Sequence, residues 1–208
     1  MKLLLSLSLI LIVGYLLICA ALYFNQDRLL FFPDHASAAQ LESHARQIGF
    51  EPWTNAGGER IGWRSIAGDP ANPLLICQGN GGLALSNDYA TMRQTTPFQF
   101  FLLEYPGYGA RLGKPSAQSL TAAAVDAIDT LTAGNHLRRI WLLGQSLGSG
   151  IVSAAAAARP DKIKGLVLLT PFDSLSAAAG NDTVIPPRHA KRLYDGYAGP
   201  KKFWLVPD

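Results

Sequence analysis

The sequence predicts an α/β protein, in which helices cover both faces of a mostly parallel sheet and one membrane helix precedes the sheet. Three observations lead to this prediction. Short β-rich runs alternate with helix-forming segments through the body of the chain, an uncharged apolar run opens it, and 49 % of the residues are hydrophobic whereas 16 % are charged. This composition favours a buried core over a disordered chain.

The N-terminal segment has no charged residue from Leu3 to Phe24. A run of about 22 residues is long enough to cross ~30 Å of hydrocarbon as a helix. Asp27 and Arg28 end the run. A cleaved signal peptide is the alternative interpretation, but the run is longer than the ~7–15 apolar residues usual in such peptides. This length favours an uncleaved anchor.

These features predict two units along the chain. The first is a membrane anchor at residues 1–25, which contacts the lipid bilayer through residues 3–24, and the second is a domain at residues 26–208. Lys2 and the free amino terminus favour a cytoplasmic N-terminus, because cytoplasmic flanks of membrane helices are enriched in positive charge. We therefore expect a single-pass membrane protein whose domain lies on the non-cytoplasmic side.

The body of the chain shows the strand and helix pattern in detail. The predicted strands are residues 50–54, 60–65, 74–78, 98–104, 139–144 and 165–170, and the predicted helices are residues 37–47, 85–95, 119–131 and 147–159. Asn55, Gly57 and Gly58 separate the first two strands and predict a hairpin. The later strands alternate with helices, which predicts parallel pairing with the hairpin at the edge of the sheet.

Composition and motifs predict no cofactor, no metal and no nucleic-acid partner. The net charge is +3 and the positive residues are scattered rather than gathered into a patch. Cys19 and Cys77 lie in apolar segments, which is typical of inert packing residues. The sequence has no Cys/His spacing typical of zinc, and neither a GxGxxG after a strand nor a Walker lysine.

The strongest catalytic motif is Gly-Gln-Ser-Leu-Gly at residues 144–148. It follows an apolar strand and opens an alanine-rich helix, which is the strand–turn–helix setting of a nucleophile elbow. Glycines are needed on both flanks because the turn leaves no room for a Cβ atom. The alternative is that Ser146 is merely the N-cap of the helix. The flanking glycine pair favours Ser146 as a nucleophile, because an N-cap does not require it.

A second motif, Gln-Gly-Asn-Gly-Gly at residues 78–82, follows the third predicted strand. Acyl transfer needs two backbone N–H groups aimed at the developing oxyanion. One normally comes from the residue after the nucleophile, here Leu147, and the other from the loop after the third strand, here Asn80. A plain strand-to-helix turn is the alternative, since Asn and Gly also favour turns.

Five short motifs occur in one order along the chain. They are Phe-Phe-Pro-Asp at residues 31–34, Gly-Asn-Gly-Gly at 79–82, Glu-Tyr-Pro-Gly-Tyr-Gly at 104–109, Gly-Gln-Ser-Leu-Gly at 144–148 and Thr-Pro-Phe-Asp-Ser at 170–174. This order resembles the Bem46-like branch of the α/β-hydrolases, which includes membrane-anchored ABHD13-like and ABHD17-like proteins. The resemblance implies an α/β-hydrolase fold and a serine hydrolase of small-molecule or acyl-group substrates with ester, thioester or amide bonds. Gln78 departs from the histidine usual in the family.

The resemblance also implies a catalytic acid. Residues 180–187 and His189 are similar to the family's G-x-D-x-x-V-P-x-x-H segment, in which the aspartate orients the catalytic histidine. Asp182 is therefore expected to take this role. A solvated turn aspartate is the alternative, and Asp173 is a weaker candidate for the acid.

Two departures from the family pattern bear on activity. Residues 175–179 are too few and too alanine-rich to provide the apolar strand that separates the Thr-Pro-Phe motif from the acid. Residues 202–206 are expected to form the last strand, and the sequence reaches Asp208 before the loop that would carry the catalytic histidine. His189 matches a family position that is not the base. We therefore expect either an active membrane-anchored hydrolase whose sequence here is incomplete, or a catalytically inactive hydrolase-like fragment or binding protein.

Overall fold

A computed structural model describes residues 2–133 and 139–171, with side chains from residue 6 onward. The chain divides into two units, Met1–Phe32 and Pro33–Asp208. The predictions for residues 172–208, which include the last strand at 202–206, the helix expected near 187–197 and the irregular segment at 174–179, lie outside the described residues. The boundary at residue 25 remains a prediction.

The first unit is the helix α1, Lys2–Leu30. The helix continues past the uncharged run, and two hydrogen bonds hold this last part. The Asn25 side chain donates to the Ala21 carbonyl at 2.8 Å, and the Phe31 N–H donates to the Asp27 carbonyl at 2.9 Å. Its apolar part, Ser6–Leu30, has 25 residues. At 1.5 Å per residue this part is about 38 Å long, enough to cross a bilayer. Some signal sequences near an N-terminus also form an apolar helix that is long enough to cross a bilayer.

The second unit is built on a six-stranded sheet within the described residues. Its strands are β1 Phe50–Thr54, β2 Arg60–Ser65, β3 Asp69–Cys77, β4 Phe98–Leu103, β5 Ile140–Gln145 and β6 Ile163–Leu169. They lie in the order β1-β2-β4-β3-β5-β6, with antiparallel pairing of β1 with β2 and of β2 with β4 and parallel pairing elsewhere. The predicted parallel sheet with an antiparallel hairpin at its edge is confirmed, although β3 begins five residues before the predicted start.

Helices cover the sheet at the positions that the sequence predicts. They are α2 Ala38–Gln47, α3 Asn87–Gln94, α4 Ala117–Thr132 and α5 Leu147–Ala158, and a short 3₁₀ turn follows at Pro160–Lys162. Serines begin three of them: Ser37 and Ser116 form capping boxes, and the Ser86 hydroxyl accepts from the N–H of Asp88. Arg159 follows the last residue of α5 and Pro160 prevents its continuation.

The two faces of the sheet carry separate helix layers because successive strand residues point to opposite sides. Leu74 and Ile76 of β3 join one core cluster with α2 and α3. On the other side α4 and α5 pack against each other and against β3 and β5. The buried residues of α4 recur at helical spacing: Leu120, Ala123, Ala124, Ala127, Ile128 and Leu131. Both layers are apolar, so hydrophobic burial holds the sheet between them.

An ion-pair cluster joins α4 to the end of α5. Asp129 accepts hydrogen bonds from Arg159 at 2.8 Å and from Lys162 at 2.6 Å. The hydrogen bonds from Arg159 and Lys162, together with their charges, hold the pKa of Asp129 at about 2, against an ordinary value of 3.8. The lowered pKa stabilises the fold at a pH above the unfolded-state value, and this contribution is lost as the pH falls from about 4 to about 2.

We expect Asp129→Asn to lower the free energy of unfolding by about 1 kcal/mol at pH 7, a value reduced by solvent screening because the carboxylate is 35 % exposed. Chemical unfolding at pH 7 and pH 3 measures this difference, which should shrink at the lower pH. Glu51→Gln, which breaks the exposed pair with Arg64, is the control and should change the stability by less than about 0.5 kcal/mol. An equal loss of unfolding free energy at both pH values would contradict the conclusion that the charge of Asp129 provides the stabilisation.

Candidate active site

Ser146 connects β5 to α5 in a strained backbone conformation. Its φ is +48° and its ψ is −114°, a region that non-glycine residues rarely occupy and that costs about 1–3 kcal/mol. Its N–H donates to the carbonyl of Leu169 at the end of β6, at 2.9 Å. Although Ser146 stands at the N-cap position, its side chain makes no capping hydrogen bond. The structure therefore shows no side-chain capping by Ser146, which was the alternative considered from the sequence.

Close backbone approach explains the two glycines beside Ser146. A Cβ on Gly148 would overlap the carbonyl oxygen of Cys77 and lie 2.7 Å from that of Gln78. A Cβ on Gly144 would lie 2.6 Å from Val152 Cγ2. The first turn of α5 therefore packs directly on the end of β3, which brings Ser146 beside the loop that follows β3.

That loop, residues 79–82, lies at the same edge of the sheet as Ser146. A Cβ built on Gly79 would be 3.8 Å from Ser146 Cβ, so the loop and the serine are neighbours. Leu147 is the first residue of α5, and its N–H belongs to the unpaired amides of the helix N-terminus. The structure thus brings together three of the predicted site residues: Ser146, Leu147 and Asn80.

Two hydroxyl groups that the sequence reasoning missed hold the elbow in place. Ser149 is fully buried, and its hydroxyl donates to the carbonyl of Gly144 at 2.8 Å and lies 3.2 Å from that of Leu169. Tyr89 on α3 donates to the side-chain oxygen of Gln145 at 2.8 Å. Neither residue belongs to a recognisable motif. The position of Ser149, one turn after Ser146, is a signal that could have indicated its supporting role.

The comparison with protein families identifies the fold. The sequence profile of the alpha/beta hydrolase fold matches residues 72–204. The chain belongs to this family. The matched segment contains the elbow, the loop after β3 and the segment of the predicted acid.

Individual relatives of this hydrolase are distant. An uncharacterized protein of Mycobacterium tuberculosis strain H37Rv is 27 % identical over 226 residues, which cover 88 % of this chain and 79 % of that protein. The lysophosphatidylserine lipase ABHD12 of Gallus gallus is 23 % identical over 134 residues, which cover 61 % of this chain and 35 % of the lipase. A predicted CIB-like hydrolase from Thermoplasma acidophilum has a similar crystal structure, with a TM-score of 0.50 over 70 % of this chain and 81 % of that one, at 15 % identity. The structural match supports the fold alone.

A buried carboxyl group lies beneath the loop that follows β4 of the hydrolase sheet. Glu104 is fully buried; its Oε1 accepts from the N–H of Ala110 at 3.3 Å and its Oε2 lies 3.9 Å from Arg60. Burial raises the pKa of Glu104, while the hydrogen bond from Ala110 and the charges of Arg60 and Arg111 oppose the rise. The nearby thiol of Cys77 is also buried, which raises its pKa to about 12 and makes it unreactive at neutral pH.

The remaining predicted site residues lie outside the described residues. These are Asp182, the weaker candidate Asp173 and His189, and their roles remain predictions. Residues 134–138, which include His136, are also outside. Among the described residues no group of three or more His, Cys, Asp or Glu side chains is arranged to hold a metal ion.

Proposed function

We propose that this hydrolase cleaves ester, thioester or amide bonds through an acyl-enzyme on Ser146. The observation that carries the proposal is the strained conformation of Ser146 at the β5–α5 junction, beside residues 79–82. A strained residue persists only where the surrounding fold holds it, and such strain concentrates at active sites. Here Gly144, Gly148 and Ser149 supply the packing and the hydrogen bond that hold it.

The proposed chemistry assigns one role to each group. The Ser146 oxygen forms a bond to the substrate carbonyl carbon while its proton passes to a base, and the N–H groups of Asn80 and Leu147 bind the resulting oxyanion. Collapse releases the alcohol, thiol or amine with that proton, and water then hydrolyses the acyl-enzyme. Asp182 orients the basic histidine in this proposal. His189 is near Asp182 in sequence but matches a family position that is not the base.

We place the substrate among acyl compounds and the protein at a membrane. The order of the five motifs supports membership of the Bem46-like branch, and the name of the Gallus gallus relative, a lysophosphatidylserine lipase, supports a lipid ester. The length and apolar composition of α1 support a single-pass anchor. Lys2 and the free amino terminus support a hydrolase domain on the non-cytoplasmic side.

Deletion of residues 1–25 tests the anchor. The full-length protein should remain in the membrane pellet after alkaline extraction, and the shortened protein should move to the soluble fraction because it has lost most of its apolar helix. Immunoblotting of both fractions measures the change. Recovery of uncleaved full-length protein in the soluble fraction would contradict the proposal.

The variant Ser146→Cys tests the nucleophile without depending on a basic histidine. A thiol at the start of a helix has a lowered pKa and is nucleophilic near neutral pH. We expect p-nitrophenyl butyrate to acylate this variant at residue 146, with an increase in mass equal to one butyryl group that mass spectrometry assigns to the peptide.

The matched control is Ser153→Cys, which places a thiol on a half-buried position of the same helix. Acylation should be at least ~100-fold faster in Ser146→Cys, because the control thiol has no oxyanion donors. The buried thiol of Cys77 should stay unmodified. Equal rates at the two positions would instead support the alternative of a catalytically inactive binding protein.

A further inference from the structure

We propose that Gln78, Tyr105 and Tyr108 are positioning residues that together hold the oxyanion loop, residues 79–82, in its hydrolytic conformation. The inference rests on the proposed function, because it assigns a purpose to a loop that matters only if an oxyanion forms beside Ser146. Each of the three side chains contacts a different point of the loop or of the residue before it. We call them the loop clamp.

The buried side chain of Gln78 joins the two ends of the loop. Its side chain is 4 % exposed, and its Nε2 donates to the carbonyl of Gly82 at 2.9 Å, across the whole loop. Its Oε1 is buried without a hydrogen-bond partner among the described residues. An unpaired buried oxygen costs stability that an apolar side chain of the same shape would not. The amide is therefore better explained by the N–H that it supplies to the loop than by core packing.

The two tyrosines hold the loop from the outside. The Tyr105 hydroxyl donates to the backbone carbonyl of Gln78 at 2.8 Å, and the Tyr108 hydroxyl donates to Asn80 Oδ1 at 2.8 Å. Both tyrosine side chains are fully buried, and the hydrogen bond from Tyr105 lies entirely in the interior, away from bulk water. The second bond is decisive because Asn80 is the residue whose N–H would face the oxyanion. Fixing its side chain restricts the rotation of its backbone.

The clamp is itself held by the turn after β4. The rings of Tyr105 and Tyr108 pack edge to face with centroids 5.4 Å apart, and the Tyr108 N–H donates to the Tyr105 carbonyl at 3.0 Å. Beneath the turn, Glu104 accepts from Ala110. Gly109 has φ +57° and approaches the Glu104 carboxylate so closely that a Cβ would overlap it. The Glu-Tyr-Pro-Gly-Tyr-Gly motif therefore has a physical role, which is to present two hydroxyls to the neighbouring loop.

Two variants remove clamp contacts with little change of shape. Gln78→Met deletes the donor to Gly82, and Tyr108→Phe deletes the donor to Asn80. In the Ser146→Cys background, we expect each to lower the maximal rate of acylation by p-nitrophenyl butyrate by about 10- to 100-fold, because a displacement of about 1 Å at an oxyanion donor has effects of this size. The half-saturating ester concentration should stay within about twofold, since the ground-state ester does not need the oxyanion donors.

Two further variants separate positioning from stability. Gln78→His retains an N–H donor and should restore most of the rate. Ser65→Ala removes a buried hydroxyl that accepts from Phe100 and donates to Ala67 at the opposite end of the sheet. It should lower the melting temperature and leave the acylation rate unchanged. Gln78→Met should show the reverse, a lower rate with an equal or higher melting temperature.

A second measurement does not depend on reactivity. In full-length protein labelled with ¹⁵N-glycine, in detergent, relaxation order parameters of Gly79, Gly81 and Gly82 should be near 0.85 and fall below about 0.6 in Tyr108→Phe or Gln78→Met. If Ser146→Cys is not acylated but the glycine order parameters fall in the clamp variants, the proposed function is overturned and the loop clamp is still supported. Unchanged order parameters together with unchanged rates would overturn the clamp.

Discussion

Hydrolysis of p-nitrophenyl esters by the 208-residue chain should lie little above the uncatalysed rate, and Ser146→Ala should change it only slightly. A serine hydroxyl is a weak nucleophile at neutral pH and must pass its proton to a base within hydrogen-bond reach. None of the four histidines is predicted to be that base, and Asp182 can orient a base but does not replace it. Loss of the histidine from a complete triad costs about 10⁶-fold in kcat.

Supplying a basic histidine should reverse this result. A chimera that carries a further strand and a histidine-bearing C-terminal loop from a family relative should hydrolyse the same ester faster by orders of magnitude. The gain should vanish in Ser146→Ala, because the restored base acts only through the serine. Initial rates measured against a heat-inactivated sample give the comparison. Substantial turnover by the unmodified chain that depends on Ser146 would contradict the prediction, and His189→Ala would then identify the base.

Gly148→Ala should lower the free energy of unfolding by roughly 3–5 kcal/mol, or prevent folding altogether. The added methyl group would occupy the position of the Cys77 carbonyl oxygen, so α5 would have to move away from β3. That movement breaks the packing that supports Ser146. Chemical unfolding followed by circular dichroism measures the loss where the variant can be purified.

The matched control is Gly150→Ala, two residues further along the same helix. A Cβ at Gly150 has no neighbouring atom within 4 Å. Alanine is the better helix former, so this change should stabilise the protein by about 0.5–1 kcal/mol. Similar losses of unfolding free energy in the two variants would show that the close approach of α5 to β3 is not the reason for glycine at position 148.

The elements of the fold were predictable because each has a local signal. The hairpin of β1 and β2 follows from the turn residues Asn55, Gly57 and Gly58, and α2 and α4 begin at the capping serines Ser37 and Ser116. The start of β3 was predicted too late. Asp69 and its neighbours lack the β-rich composition of residues 74–77, and they join the sheet because the Asp69 N–H bonds to the carbonyl of Pro97. A contact between segments so distant in sequence leaves no local pattern.

The sequence by itself determined the class of fold and the place of Ser146 in the turn between a strand and a helix. Alternation of strands and helices is enough to predict a parallel sheet, and the Gly-x-Ser-x-Gly motif between a strand and a helix is enough to predict an elbow at Ser146. Both are properties of neighbouring residues. The apolar run from Leu3 to Phe24 likewise predicts a long apolar helix without any knowledge of the rest of the chain.

Only the tertiary structure decided which residues support the turn at Ser146. The hydrogen bonds from Tyr105 to Gln78 and from Tyr108 to Asn80 join residues that are 27 and 28 positions apart. The approach of Gly148 to Cys77 depends on how α5 packs on β3. Hydroxyl and amide groups form such contacts wherever the backbone brings them together, so their partners depend on the packing of whole strands and helices. Residue type and spacing alone do not reveal them.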